Sequence, residues 1–262
     1  MALLAIDYGE LMRLVGSVLW PFVRAGALLV AAPLYGARTV PVRVRLAFAL
    51  VLAFLVAPSV TVPADAEPFA LSGAWVTARE ALIGAALGFL VQMLFAALAM
   101  GGEIVALAMG LAFASVADPD HGASVPLVGE YFVVIATLLF LAFDGHLALV
   151  ALLFDSFTLL PPATTPFGAG GLWQVAAFGS AMFEAAVLVA LPAAAALLLT
   201  GLCMGVVARS APQLNVFAVG FPVTLLLGLL LLGVGVPALA PQLETALADV
   251  LDQARSALVA AR

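Results

Sequence analysis

The side chains that could do chemistry are few in this chain. It has two histidines and one cysteine, and Asp144 lies two residues before His146. Ionisable groups at membrane depth often mark a proton or ion pathway, so one interpretation of this pair is a proton relay. The interpretation that we favour is a polar break between two helices, in which these groups bond backbone carbonyls that the break leaves free.

Recognisable catalytic motifs are absent from the sequence. There is no HExxH, no GxSxG and no Cys/His spacing typical of a metal site. Cys203 is the only cysteine and can form no internal disulfide. All basic residues are arginines, so a phosphate-binding loop with its lysine is excluded. We therefore expect no enzymatic activity, no cofactor and no metal.

The composition is that of a membrane protein. Apolar residues make up 66% of the chain and charged residues 9%, whereas soluble domains contain about 25% charged residues. The net charge of −6 and the lack of a basic tract exclude nucleic acid as a partner. We predict an all-α integral membrane protein in contact with lipid, without a soluble domain.

Six apolar units follow one another along the chain. They cover 14–33, 46–64, 81–102, 131–160, 172–208 and 216–237, and an amphipathic tail follows at 242–262. The unit at 131–160 is too long for one straight span, so we expect it to break at Asp144-Gly145. We expect one helical membrane domain, composed of the N-terminal helices and mid-chain loop (1–126), the C-terminal hairpins (127–241) and the tail.

Some residues inside the apolar units need partners. Arg24 would cost several kcal/mol if it faced lipid, so it should face protein or water. Gly84 and Gly88 form a GxxxG pair, as do Gly201 and Gly205, and this spacing lets two helices approach closely. The remaining acidic residues of these regions are expected at helix contacts or membrane interfaces: Glu103, Glu130, Asp155 and Glu184.

The stretch 101–126 has an unusual character. Its charge-free part, 104–117, is too short for an ordinary span and too apolar for a solvated loop. Met109 and Phe113 are four residues apart and share one helix face. Such a pair is ordinarily part of a core. Beside glycines and the Asp118-Pro119 break, however, the same pair could seal an opening, because irregular backbone at membrane depth lines a cavity or is buried in protein.

Several strings in order resemble one known family. They are AAPLYG after Arg24, VPVRVRLAFAL, REALIGAALGF, MGLAFASVADP, FDGHLALVALLFDSFTLLPP and RSAPQLNVFAVGFP. This pattern resembles the FliR family, membrane proteins of the bacterial flagellar type III export apparatus and close relatives of the SctT family of virulence secretion systems. The resemblance implies broken, hairpin-like helices, and a pore-forming subunit for unfolded flagellar proteins in the basal body at the bacterial inner membrane. The partners it implies are FliP-, FliQ- and FlhB-type subunits.

The resemblance also implies roles for residues. The family's mid-chain loop contributes to the plug of the closed pore, and the corresponding positions here are Met109, Gly110, Leu111, Phe113, Asp118 and Pro119. Residues of the matching motifs are expected to contact partner subunits: Arg24, Arg43, Glu80, Gly84, Gly88, Arg209, Pro212, Gln213, Leu214 and Asn215. The family commonly has Asn where this chain has Asp144, so a role that needs a neutral amide there is in doubt.

Two other functions stay open at this point. A secondary transporter of small solutes would use broken helices and the charged residues Arg24, Asp144 and Glu184 to bind its substrate. The equivalent subunit of a virulence secretion system would share most of the motifs.

Overall fold

The computed structural model describes residues 8–62, 67–111, 127–162, 168–211 and 216–261. Over these ranges the regular elements are all helical: α1 Tyr8–Ala31, α2 Val42–Val56, α3 Leu71–Ala108, α4 Leu127–Ala142, α5 Gly145–Leu159, α6 Ala169–Ser210, α7 Val216–Ala260 and a 3₁₀ turn at Ala57–Ser59. Five stretches are long and apolar enough to cross a membrane, or six if α4 and α5 form one broken span. The predicted all-α membrane fold with about six apolar units is confirmed.

The predicted break inside the fourth apolar unit is also confirmed. Helix α4 ends at Ala142 and α5 begins at Gly145. Asp144 has a left-handed backbone, with φ 54°, and its carbonyl accepts hydrogen bonds from the amides of Leu147 and Ala148 at 2.9 and 3.0 Å. Its side chain makes no capping bond and is exposed. The expectation that this side chain bonds freed backbone groups was therefore wrong, because the backbone conformation itself makes the break.

Two predicted boundaries were wrong. The third span was predicted to begin at residue 81, but α3 begins at Leu71 and carries Arg79 and Glu80 inside it. The sixth unit and the tail were predicted to be separate, but α7 is continuous through Pro237 and Pro241. Each proline removes one backbone hydrogen bond, but the helix continues beyond both into residues that are buried in a core, such as Leu247 and Val250.

Contacts divide the chain into two compact units. Unit 1 contains Met1–Met93, Asp144–Gly179 and Leu247–Arg262, and unit 2 contains Leu94–Phe143 and Ser180–Ala246. Neither is one continuous stretch of sequence, and α3, α6 and α7 each contribute to both. The single-domain organisation expected from the sequence stays a prediction.

Unit 1 has an apolar core in which α1, α2 and the first part of α3 take part. Its core includes Trp20, Leu28, Leu29, Ala53, Val56, Ile83, Leu87, Leu152 and Leu153, all at most 2% exposed. The last part of α7 runs along the first part of α6, where the Gly168 amide donates to the Ala261 carbonyl at 3.0 Å and the Gln253 side chain to the Gln174 carbonyl at 3.4 Å. The apolar face predicted for the tail is thus buried in unit 1.

Unit 2 combines the end of α3 with α4, most of α6 and the first part of α7. Phe95 of α3 and Phe140 of α4 meet edge to face, with ring centroids 5.5 Å apart. Gly102 lies against the start of α4: a Cβ added there would be 2.7 Å from the Val128 carbonyl oxygen. The end of α3 is therefore held on one side by α4.

Candidate functional site

A buried polar cluster lies at the centre of unit 1. Arg24 and Glu80 are both fully buried, and the Arg24 Nε and Nη2 atoms are each 2.6 Å from Glu80 Oε2. The same guanidinium donates to the Ser156 carbonyl at 2.8 Å, to the Ser156 hydroxyl at 3.0 Å and to the Leu160 carbonyl at 2.8 Å. One side chain on α1 thus bonds α3 and the end of α5.

Two further groups complete this cluster. The Phe157 ring lies under the guanidinium, 4.2 Å from the Arg24 Cζ atom to the ring centroid, which favours a cation on its face. Arg79 approaches the other Glu80 oxygen at 3.2 Å and donates to the Pro161 carbonyl at 2.9 Å. A buried ion pair is stable only when further hydrogen bonds satisfy its remaining groups. Here the Ser156 and Leu160 carbonyls accept from the remaining N–H groups of Arg24, and Glu80 Oε1 has the Arg79 cation as its charge partner. The prediction that Arg24 faces protein is consistent with this arrangement.

The first glycine pair is enclosed by α1. A Cβ added at Gly84 would collide with the Arg24 carbonyl oxygen, and one added at Gly88 would lie 2.6 Å from the Leu28 carbonyl oxygen and 2.8 Å from Ala31 Cβ. Gly84 and Gly88 are one helical turn apart on α3, and they contact successive turns of α1. The two helices therefore run parallel here. The two backbones approach so closely only because both positions lack a side chain.

These contacts change the role expected of four residues. Arg24, Glu80, Gly84 and Gly88 were expected to contact partner subunits, but each is engaged by another helix of its own chain. We assign them to the fold of unit 1. Of the other expected assembly residues, Arg43 and Arg209 are exposed, and Pro212, Gln213, Leu214 and Asn215 lie outside the described residues.

The end of α3 is capped by the backbone. Gly110 has φ 82°, its amide donates to the Leu107 carbonyl at 3.0 Å, and the Leu111 amide donates to the Ala106 carbonyl at 3.1 Å. These two bonds around a left-handed glycine form a Schellman motif, in which Met109 is the C-cap residue that follows the last helical residue, Ala108. Among the predicted plug residues, Met109, Gly110 and Leu111 are described, whereas Phe113, Asp118 and Pro119 lie outside the described part.

Helix α7 holds Met109 from one side. The Met109 side chain is 1% exposed, and a Cβ added at Gly228 would lie 2.6 Å from its Sδ and Cε atoms. The Thr224 hydroxyl donates to the Met109 carbonyl at 3.2 Å. Sequence reasoning missed Thr224 and Gly228, because a threonine and a glycine in an apolar helix carry no local signal of the partner that they meet.

The second glycine pair is open. A Cβ added at Gly201 or Gly205 would meet nothing within 4 Å. The same stretch of α6 exposes large apolar side chains: Leu198, Leu199, Leu202, Val206 and Val207. Glu184 and Cys203 are exposed on this helix as well. No described residue covers this part of α6.

The remaining acidic residues and histidine do not form a reaction centre. His146 Nδ1 is buried and has no hydrogen-bond partner in the described part of the chain, so the relay with Asp144 is not formed there. Asp155 pairs with Arg255 at 3.5 Å on the surface of unit 1, and Glu103 packs its carboxylate against Gly129 in unit 2. Within the described ranges, no three His, Cys, Asp or Glu side chains come together to hold a metal ion.

Comparison with known proteins gives one consistent result. The family model described as bacterial export proteins, family 1, matches residues 15–250. The chain is 37% identical over 251 residues to the flagellar biosynthetic protein FliR of Pectobacterium carotovorum, covering 95% of each chain. It is 38% identical over 234 residues to that of Escherichia coli K12, covering 89% of each, and 34% identical over 217 residues to that of Bacillus subtilis 168, covering 80% of this chain and 82% of the relative. With its apolar helices, the chain belongs to the FliR family and is a multi-pass membrane component of flagellar protein export.

Proposed function

We propose that this protein is a pore-forming subunit of the flagellar type III export gate in the bacterial inner membrane. It assembles with FliP- and FliQ-type subunits, contacts an FlhB-type partner at the cytoplasmic face, and passes unfolded flagellar proteins. It is not an enzyme, and the energy for transport comes from other components. Membership in the FliR family supports the export role, and the exposed surface of α6 supports assembly with other subunits.

The observation that carries this proposal is the length of the uncovered apolar surface on α6. Exposed apolar side chains extend from Leu172 and Trp173 to Val207, and only 11% of the best membrane-spanning window of this helix is buried. At about 1.5 Å per residue, that surface is about 50 Å long, whereas the hydrocarbon core of a bilayer is about 30 Å thick. Helix tilts of about 20° shorten the projection only slightly. Lipid alone therefore leaves part of this surface in water, and protein partners would cover it.

A crosslinking experiment tests the assembly. A photo-crosslinking amino acid placed at Leu202, which is 69% exposed, should crosslink to FliP- or FliQ-type subunits in membranes containing the whole gate. The matched control is Ala186 on the same helix, which is fully buried and should give no crosslink. Crosslinks from position 202 to lipid alone would contradict the proposal.

A second experiment concerns the mid-chain plug. We propose that Phe113 seals the closed pore, because the family's plug loop corresponds to this segment and a narrow apolar constriction excludes ions by dewetting. Phe113→Ala should make the assembled gate leak ions, measured as a fall of membrane potential or as conductance in reconstituted bilayers. Unchanged conductance would remove the plug role.

The segment 212–215 gives a third test. We propose that Pro212, Gln213, Leu214 and Asn215 contact partner subunits near the cytoplasmic entrance. Asn215→Ala should weaken co-purification with those subunits, and Asn→Ala is a small change that leaves the neighbouring helices intact. An intact complex at normal yield would contradict this role.

A further inference from the structure

Three interactions fix the end of α3. One is its own Schellman motif, and the other two are contacts of Met109 with Thr224 and Gly228 on α7. The Schellman motif satisfies the Ala106 and Leu107 carbonyls. Among the described residues, no amide donates to the Met109 carbonyl. The Thr224 hydroxyl donates to this carbonyl at 3.2 Å, across more than a hundred residues of sequence.

The side chain of Met109 is held in the same place. It fills the space that the missing side chain of Gly228 leaves on α7, one helical turn beyond Thr224. With 1% exposure the thioether has no open space beside it. An added Cβ at position 228 would also collide with Met109 Cγ, so the thioether would have to rotate out of this space.

The hydrogen bond from Thr224 is not needed to stabilise α7. The same hydroxyl has two acceptors in its own helix, the Phe221 carbonyl at 3.0 Å and the Gly220 carbonyl at 3.2 Å. Threonines in helices commonly bond such carbonyls. If the Met109 carbonyl moves away, the hydroxyl still has acceptors on α7, whereas the carbonyl loses the one donor that the described residues offer it. The contact therefore constrains the end of α3 much more than it constrains α7.

We propose that Thr224 and Gly228 are positioning residues that set where and in which direction the chain leaves α3. The segment that leaves at Leu111 leads to Phe113, so this inference rests on the proposed function and adds residues of α7 to it. Neither residue needs to face the pore. Their role is to keep Met109 fixed so that the residues after Gly110 start from one defined point.

The first arm of the test removes the hydroxyl. Thr224→Val keeps the shape of the side chain, and the assembled gate should leak ions about fivefold more than wild type, the change in an equilibrium that one lost neutral hydrogen bond produces. Thr224→Ser keeps the donor and should restore the seal. The matched control is Thr200→Val, because the Thr200 hydroxyl bonds only the Ala196 carbonyl of its own helix in the described structure, and it should not leak.

The second arm fills the space under Met109. Gly228→Ala should leak, because the thioether must leave its place, whereas Gly233→Ala on the same helix should not, since nothing lies within 4 Å of a Cβ there. Adding Met109→Ala to Gly228→Ala removes the colliding atoms and should reduce the leak. If Gly228→Ala leaked only because it destabilises the protein, adding Met109→Ala would not reduce the leak.

A crosslink measures the position of Met109 without any transport. In a Cys203→Ser background, Met109→Cys with Gly228→Cys should form a disulfide in membranes treated with an oxidant, and adding Thr224→Val should slow its formation. Absence of this disulfide in the otherwise wild-type gate would overturn the inference.

Phe113→Ala serves as the reference in all arms. If it leaks and Thr224→Val and Gly228→Ala do not, the positioning role is wrong while the proposed function stands. If none of these variants leaks, the plug itself is wrong. Leak from Thr200→Val or Gly233→Ala equal to that of the test variants would also overturn the inference, since the effect would then be general.

Discussion

Two glycine pairs with the same spacing have opposite surroundings in this molecule. Gly84 and Gly88 on α3 are covered by the backbone of α1, whereas Gly201 and Gly205 on α6 face open space. The covered pair lies beside the bonded charges Arg24 and Glu80, and the open pair lies among exposed leucines. The GxxxG pattern thus marks a place for close approach, but not whether the approaching helix belongs to the same chain. In the described chain, the open pair has room for the close approach of another helix.

The largest effect should come from the charges beside the covered pair. Glu80→Gln leaves the Arg24 guanidinium buried without its counter-charge, and breaking such a pair costs about 3–5 kcal/mol. We expect a much smaller amount of the protein in membranes and a lower unfolding temperature in detergent. Glu244→Gln is the matched control, because Glu244 is exposed.

The double variant Arg24→Met with Glu80→Leu sharpens this prediction. Apolar residues of similar size often replace a buried ion pair without loss of stability. We therefore expect the double variant to accumulate better than Glu80→Gln. If the double variant and Glu80→Gln lose the same amount of protein, the stability comes from the hydrogen bonds of Arg24 with Ser156 and Leu160 and not from the charge pair.

The next effect should come from filling the covered pair. Gly88→Val forces α1 and α3 apart, because the new atoms meet the Leu28 carbonyl and the Ala31 side chain. Overpacking of this kind costs about 1–3 kcal/mol. The thermal stability of the purified chain measures the effect. A variant as stable as wild type would mean that the two helices are not in close contact.

The same substitution at the open pair should act differently. Gly205→Val meets no atom of the described chain, so we expect the stability of the isolated chain to change by less than about 0.5 kcal/mol, as for most surface substitutions. Its yield in complex with partner subunits should fall, because the new side chain prevents close approach of a second helix. Normal complex yield would place the partner elsewhere.

The smallest effect is expected at Asp144. Its exposed side chain makes no capping bond, and only the left-handed backbone distinguishes the position. Asn tolerates this conformation as well as Asp, so Asp144→Asn should leave stability and export unchanged. Asp144→Ala should lose about 1 kcal/mol, since alanine enters the left-handed region less readily. A large loss in Asp144→Asn would reveal a role for the charge.

Much of the fold could be predicted from the sequence, because it follows from local patterns. The apolar runs indicated the helices, and the polar Asp144-Gly145 step within a run too long for one span indicated the break. The predicted helix boundaries were wrong where contacts with distant residues decide. The charges Arg79 and Glu80 lay outside the predicted span 81–102, but they are inside α3, where Arg24 pairs with Glu80. Pro237 and Pro241 looked like the end of a helix that in fact continues.

The site was less predictable, for a related reason. Met109 and Gly110 stood out by type, but Thr224 and Gly228 gain their meaning only from the α3 end that they meet. The sequence of one helix does not show which distant segment packs against it. The roles expected of Phe113 and Asn215 stay predictions.

The division of the chain into interleaved units has a consequence for how the protein is made. Leu247, Val250, Ala254 and Leu258 fill the core of the unit that begins with α1. During synthesis, the earliest helices enter the bilayer long before these side chains leave the ribosome. The core of this unit therefore stays incomplete in the nascent chain until residues 247–258 have been synthesised.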